Sequence, residues 1–209
     1  RNSSKINKIN KINLIFSISY VLFVFSLFNR DVSDIDILYP LTIPAKYIAL
    51  VILTAGIMFR AYSKKQIQVV IILLCADLLV LVKSGALIFI LISLFAFFAN
   101  KLEDKDILRV AYFTLLFFTL CVFIFSIIGI YNDEITKRWV DSATRHSLGF
   151  YHSNVLPLIY SYLVGYGLLI GIFKKKHYFI LLTIDLVIYY FCGSRNSLFT
   201  TFLLVLGKW

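Results

Sequence analysis

The chain has 209 residues, 60% of them hydrophobic and only 15% charged, with a mean hydropathy of +0.88. A water-soluble domain sits nearer half apolar with about a quarter charged, so this composition excludes a soluble globular fold. The formal net charge of +10 lies in short clusters between apolar runs, not on an extended basic face, which speaks against nucleic acid as a partner.

The apolar runs are long and lack period-two alternation. In hydrocarbon the backbone must satisfy its own hydrogen bonds, so such runs predict helices and not barrel strands. The expected fold class is all-α: a polytopic membrane bundle of about eight transmembrane helices forming a single transmembrane domain over residues 1–209.

The Asn/Lys/Ile-rich start, with Arg1, Lys5, Lys8 and Lys11, reads as a cytoplasmic tail before a first span, Ile12–Phe28. That span is long enough to remain in the membrane, and no small-residue cleavage site follows it. An acidic connection from Arg30 to Thr42, with Asp31, Asp34 and Asp36, leads to a second span, Ile43–Phe59. The run from Ile67 to Ala99 would make one helix roughly 50 Å long at 1.5 Å per residue, against a bilayer core of about 30 Å. Lys83-Ser84-Gly85 at its midpoint splits it into a tight hairpin of Ile67–Val82 and Ser84–Ala99. Further spans follow at Ile107–Tyr131, Val155–Phe173 and Tyr178–Cys192, with a last one from Asn196.

Charge placement supports the hairpin. With it, the start, Arg60/Lys64/Lys65, Lys101/Lys105/Arg109, Lys174/Lys175/Lys176 and Lys208 all face one side, which holds most of the Lys and Arg. Without it the later clusters would change sides and the bias would vanish. The rule that positive loops stay inside then sets the amino terminus in the cytoplasm. The first residue is Arg, and the run Asn196–Leu206 is short for a crossing, so the chain reads as the amino-terminal part of a longer protein. Cys75, Cys121 and Cys192 lie in or at the ends of apolar runs, with no metal-ligand spacing and no disulfide framework, and read as packing residues. No metal and no cofactor is expected.

The external side carries the longest loop, Asn132–Asn154. In its first half Ile135 and Trp139 share a helical face, so the segment Asp133–Asp141 reads as a solvated loop with an aromatic anchor, able to lie flat at the interface. Its second half is richer in chemistry: Arg145, His146, His152 and Asn154 precede a span that opens Val155-Leu156-Pro157. Proline suits a first helical turn, and Asn154 suits a cap. Those roles leave Arg145, His146 and His152 unexplained. The turn Gly193-Ser194-Arg195 lies between two spans on the same side. A turn needs Gly and Ser, but an arginine beside apolar helices needs water or an anion. Guanidinium suits phosphate because its planar donors meet two oxygens at once. Two arginines facing one cavity would suit a pyrophosphate. Within the spans, Asp77 and Asp185 are carboxyls expected to face the bundle interior as hydrogen-bonded cross-links.

The segment Arg145-His146-Ser147-Leu148-Gly149-Phe150-Tyr151-His152-Ser153-Asn154 resembles the Arg-x-x-x-Gly-x-x-His-Pro-Asn signature of Wzy-type bacterial polysaccharide polymerases. Gly193-Ser194-Arg195 resembles the Gly-Ser-Arg turn found later in the same proteins and in the related O-antigen ligases. The resemblance covers roughly a quarter of the chain, and Ser153 stands where the signature has proline. It implies a multi-pass protein of the bacterial cytoplasmic membrane that polymerises undecaprenyl-pyrophosphate-linked oligosaccharide units into O-antigen, capsule or exopolysaccharide. Arg145 and Arg195 would stabilise the departing pyrophosphate. His152 would position substrate or act as base, with His146, Asn154, Ser194 and Gly193 binding substrate. Membrane lipid, a chain-length regulator and a flippase are the implied partners. The competing expectations are a ligase of the same superfamily, and a polysaccharide or lipid-carrier transporter.

Overall fold

The computed structural model describes residues 2–28, 39–85, 87–100, 102–137 and 144–208, with side chains from residue 12 onward and, in the second stretch, from residue 40. Among these residues are eight α-helices: α1 Asn2–Phe28, α2 Tyr39–Met58, α3 Lys64–Ser84, α4 Ile88–Ala99, α5 Asp104–Ile127, α6 Val155–Leu169, α7 Tyr178–Cys192 and α8 Arg195–Gly207. A two-stranded antiparallel ribbon, β1 Ile135–Lys137 and β2 Thr144–His146, lies between α5 and α6. The acidic connection with Asp31, Asp34 and Asp36, together with Arg1, Lys101, Trp139, Asp141 and Trp209, lies outside the described residues.

Among the described residues three helices are long and apolar enough to cross a membrane: Pro40–Met58 of α2, Lys64–Ser84 and Asp104–Ile127. Ile12–Phe28, Ile88–Ala99 and Val155–Leu169 are shorter apolar helices, and α7 and α8 have 15 and 13 residues. The expected tail is helical from Asn2 and runs unbroken into the first apolar segment. The break in the long apolar run falls at Gly85, which closes α3 with a left-handed φ of +68° and donates its N–H to the Leu81 carbonyl. Ser84 is the last residue of α3, not the first of α4. The same device ends two helices earlier than hydropathy alone predicts. Gly129 (φ +77°) follows the end of α5, and Gly171 (φ +80°) that of α6, so Ile130, Tyr131, Ile172 and Phe173 leave the helices.

The chain divides into two compact units. The first comprises residues 1–23 and 44–107. Its interior is aromatic: Phe16 stacks with Phe98 at 6.2 Å and meets Phe95 edge-on at 5.8 Å. Gly56 sits so close to the Phe98 ring that a Cβ would approach it to 2.8 Å, so α2 and α4 touch through that glycine. Arg60 donates to the Phe98 carbonyl at 2.8 Å and lies over the same ring, satisfying an end of α4. Outward, α3 is a row of exposed Val, Ile and Leu, only Val70 being buried, as suits a helix face in hydrocarbon.

The second unit comprises residues 24–43 and 108–209 and contains α6, α7, α8 and the ribbon. Two clusters hold it. Val164, Leu168, Tyr178, Leu181 and Val205 pack the end nearer the α6–α7 turn. At the other end, Val122, Tyr131, Phe150, Leu156 and Cys192 form a cap into which the loop inserts Tyr131 and the fully buried Phe150. Those two rings anchor the polar loop on the helix ends, and the candidate site is built on that anchor.

Candidate functional site

Residues 133–137 and 144–154 form a paired ribbon and a turn packed at the end of α7. Within the first half, expected as a solvated loop, Ile135–Lys137 form an exposed strand; Trp139 and Asp141 lie outside the described residues. Strand β1 pairs residue for residue with β2: Ile135 with His146, Thr136 with Arg145, Lys137 with Thr144. The ladder gives the inward-facing backbone groups partners that a lone helical turn in a short loop would lack. It continues one step further, where the Ser147 N–H donates to the Glu134 carbonyl (3.1 Å) and the Glu134 N–H to Ser147 Oγ (2.8 Å).

After Ser147 the chain reverses. The Phe150 N–H returns to the Ser147 carbonyl at 3.1 Å, and the two central residues, Leu148 and Gly149, have φ of +52° and +88°. Paired positive φ values define a turn in which Gly is at home and Leu is not. Gly149 is required twice over, since a Cβ there would meet Ser126 at 2.8 Å. The turn delivers Phe150 to its buried socket and keeps Leu148 in its strained position.

Asp133 holds this reversal in place. Its Oδ1 accepts the Leu148 N–H at 2.8 Å, and its Oδ2 lies 2.5 Å from Nδ1 of His146. Burial pushes the Asp133 carboxyl up, but hydrogen bonds from His146, Leu148 and Ser147 outweigh it and leave the group below its usual range. An ionised Asp133 therefore faces a ring nitrogen that donates to it. In the neutral imidazole the proton sits on Nδ1 and the lone pair on Nε2, on a side chain that is about one-third exposed. The Phe191 ring stands edge-to-face to the imidazole at 6.1 Å, so α7 fixes the ring from another side.

His152 is placed differently. It is exposed, and its Nδ1 accepts the backbone N–H of Asn154 at 3.1 Å. That bond directs the neutral ring's proton to Nε2, so outward it presents a donor and not a base. Its carbonyl accepts the Val155 N–H at 3.0 Å, so His152 organises the entry to α6. Asn154 occupies the cap position of α6, yet its side chain makes no capping hydrogen bond; the ring Nδ1 and the carbonyl of His152 do that work. Pro157 lies in the first turn of α6, where a missing N–H is harmless. Ser153, at the signature's proline position, is buried, and its hydroxyl has no partner among the described residues.

Arg145 joins the two sequence motifs. From β2 its Nη2 donates to the Gly193 carbonyl at 3.3 Å. A Cβ on Gly193 would sit 3.0 Å from Arg145 Nε and 3.3 Å from Cγ, so the glycine lets the guanidinium lie close across the turn without crowding. Gly193 also has φ of +68°, the left-handed conformation that closes α7. Nε of Arg145 is buried and has no partner among the described residues. Ser194 is buried and bonded to Ser197 at 3.1 Å, which ties the turn into α8 and takes its hydroxyl away from the solvent side. Arg195 opens α8, is exposed, and stands at an apolar cavity of about 570 Å³ with Leu182, Leu186, Leu198, Phe199 and Phe202.

The structure therefore brings Arg145, Gly193 and Ser194 together, with His146 on the neighbouring ribbon position. It gives Arg195 a different environment, beside apolar side chains on the flank of α7 and α8. A second apolar cavity of about 500 Å³ reaches Leu148, bonded to Asp133, and Phe191, edge-to-face with His146. Asp133 is the participant that sequence reading passed over. It lies 13 residues from His146, and only the ribbon register makes them neighbours.

Comparison with known protein families, with characterised proteins and with solved structures finds no significant match to this chain.

Proposed function

We propose that this chain belongs to a multi-pass glycosyltransferase of the bacterial cytoplasmic membrane, one that polymerises undecaprenyl-pyrophosphate-linked oligosaccharide units. In this reading the chain crosses the membrane eight times with its amino terminus in the cytoplasm, and the ribbon faces the external side. The observation that carries the reading is the contact of Arg145 with Gly193. Two short sequence features, each weak alone, meet in space as parts of one site should.

The chemistry follows from the arrangement. A sugar hydroxyl of the acceptor attacks the anomeric carbon of the donor glycan. The bond from that carbon to the pyrophosphate oxygen breaks, and the lipid pyrophosphate leaves with the electron pair. The hydroxyl proton passes to Nε2 of His146, and Asp133 stabilises the imidazolium through Nδ1–H. A positioned base of this kind contributes about 10²- to 10⁴-fold. Negative charge grows on the leaving group, so a fixed guanidinium stabilises the transition state more than the ground state. Arg145, with an unengaged Nε–H, and Arg195 at the mouth of an apolar cavity serve this role. That cavity suits the prenyl chain of the carrier. The proton-accepting role goes to His146 and not to His152, whose free nitrogen carries a proton. Chain-length regulator and flippase are the partners such a reaction implies.

The direct test uses the purified complete protein with a synthetic prenyl-pyrophosphate-linked repeat unit. Polymer and free prenyl pyrophosphate should appear together, and both should be lost in His146→Asn. Transfer of a single unit to a different acceptor would instead assign the ligase reaction. Movement of the lipid between leaflets without bond cleavage would assign transport.

A further inference from the structure

In the second unit, three polar side chains meet at the same level of three apolar helices. Asp185 is the eighth of 15 residues in α7, Ser161 the seventh of 15 in α6, and Thr201 the seventh of 13 in α8. All three are buried, at 1%, 3% and 0% exposure. Ser161 Oγ lies 3.0 Å from Thr201 Oγ1, 3.1 Å from the Pro157 carbonyl and 3.3 Å from the Ser197 carbonyl. The Thr201 hydroxyl lies near the Asp185 carboxyl, whose Oδ2 has no hydrogen-bond partner among the described residues. Nearby Tyr160 does not supply one, because its hydroxyl donates to the Leu181 carbonyl at 2.7 Å.

The cluster is rich in oxygen and poor in protons. Two hydroxyl hydrogens, on Ser161 and Thr201, face two carboxyl oxygens, each other's oxygens and two carbonyls. A purely structural carboxyl would have both oxygens bonded. No Lys, Arg or His among the described residues pairs with Asp185. A buried carboxylate without a partner draws in a positive charge.

We propose that Asp185, Thr201 and Ser161, with the Pro157 and Ser197 carbonyls, bind a dehydrated sodium ion inside the α6–α7–α8 bundle. One carboxylate matches one unit of charge, whereas calcium sites gather several carboxylates. Hydroxyl and carbonyl oxygens are the hard, neutral ligands that replace an alkali ion's water. The close oxygen spacings, 3.0–3.3 Å around Ser161, suit the smaller of the two common monovalent ions. A groove between α6 and α8, a cavity of about 310 Å³, borders the cluster, with the buried Ser161 and Ser197 among its lining residues. Bound sodium would tie the three helices that carry the Gly193 turn and the ribbon, making the protein's stability depend on sodium. This inference stands on the cluster alone and holds whatever reaction the external site performs.

The test is thermal unfolding of the full chain in lipid nanodiscs, titrated with sodium, potassium or choline chloride at constant ionic strength and pH. Sodium alone should raise Tm saturably, by about 5–10 °C at a hundredfold excess over its dissociation constant. Asp185→Asn should abolish the response. Thr201→Val, which keeps the side-chain shape, should weaken sodium affinity at least tenfold, and it reads the same effect if Asp185→Asn fails to fold. Equal responses to all three salts, or a full sodium response in Thr201→Val together with Asp185→Asn, would overturn the proposal. So would a sodium-insensitive wild type, which would make Asp185 a protonated cross-link only.

Discussion

The guanidinium of Arg145 lies across Gly193, donating to its carbonyl at 3.3 Å and passing so close that a Cβ on the glycine would crowd it at 3.0 Å. These residues are 48 positions apart, on the ribbon and on the turn that ends α7. The contact makes the two external segments one structural unit.

Gly193→Ala should therefore harm the protein in two separable ways. The left-handed φ costs an alanine about 1–2 kcal/mol, and the new methyl pushes the arginine off its seat. Gly85 is the natural control. It has the same φ of +68°, but a Cβ there meets nothing. Thermal unfolding should show similar losses for Gly85→Ala and Gly193→Ala. Only Gly193→Ala should lose activity beyond its loss of folded protein; equal activity in both would separate Arg145 from the reaction.

Asp133 and His146 should behave as one device. Asp133→Asn removes the acceptor that fixes the imidazole tautomer, and His146→Asn removes the base. Each should lower turnover by about 10²- to 10⁴-fold, and the double variant should be little worse than either single one. Multiplying losses would mean that the two groups act independently.

The same carboxylate gives a pH signature. Its folded pKa is below the unfolded value of 3.8, so its contribution to stability is present above that value. It is lost as pH falls through the folded pKa. The Tm difference between wild type and Asp133→Asn should be constant near neutrality and shrink only in strong acid. A difference that instead disappeared between pH 5 and 7 would contradict the assignment.

Arg195→Lys should lose most activity, because an ammonium cannot reproduce two parallel donors. Near-normal turnover in that variant would take Arg195 out of the phosphate-binding role. For topology, a reporter fused after Lys176 should read cytoplasmic, since Lys174–Lys176 is one of the clusters that orient the chain. An external signal there would reverse the proposed arrangement of the ribbon.

The helices were legible because their signal is long and redundant. Even the split of the Ile67–Ala99 run could be read, since one glycine at its centre met a length limit set by the bilayer. Helix ends were less legible: Gly129 and Gly171 each stop a helix while apolar residues continue, so hydropathy overran both. The ribbon left almost no trace, being two three-residue strands without alternation, joined through residues 138–143. Asp133 was unreadable for that reason, because its meaning depends on a register that places it beside His146. Arg145 and Gly193 could be singled out separately, but their contact is a property of the fold. The choice between the two histidines also needed structure, since it rests on which ring nitrogen each backbone or carboxylate partner occupies.

The central claim is that the ribbon and the Gly193 turn form a polymerising site. Glycan chain length in a polymerase-deficient host that supplies the cognate repeat unit tests it most directly. The complete reading frame is compared there with its His146→Asn and Arg195→Ala variants at matched expression. A ladder of polymer from the wild type, absent from both variants, is the predicted result. Single unextended units from the wild type, or a ladder that survives both substitutions, would contradict it.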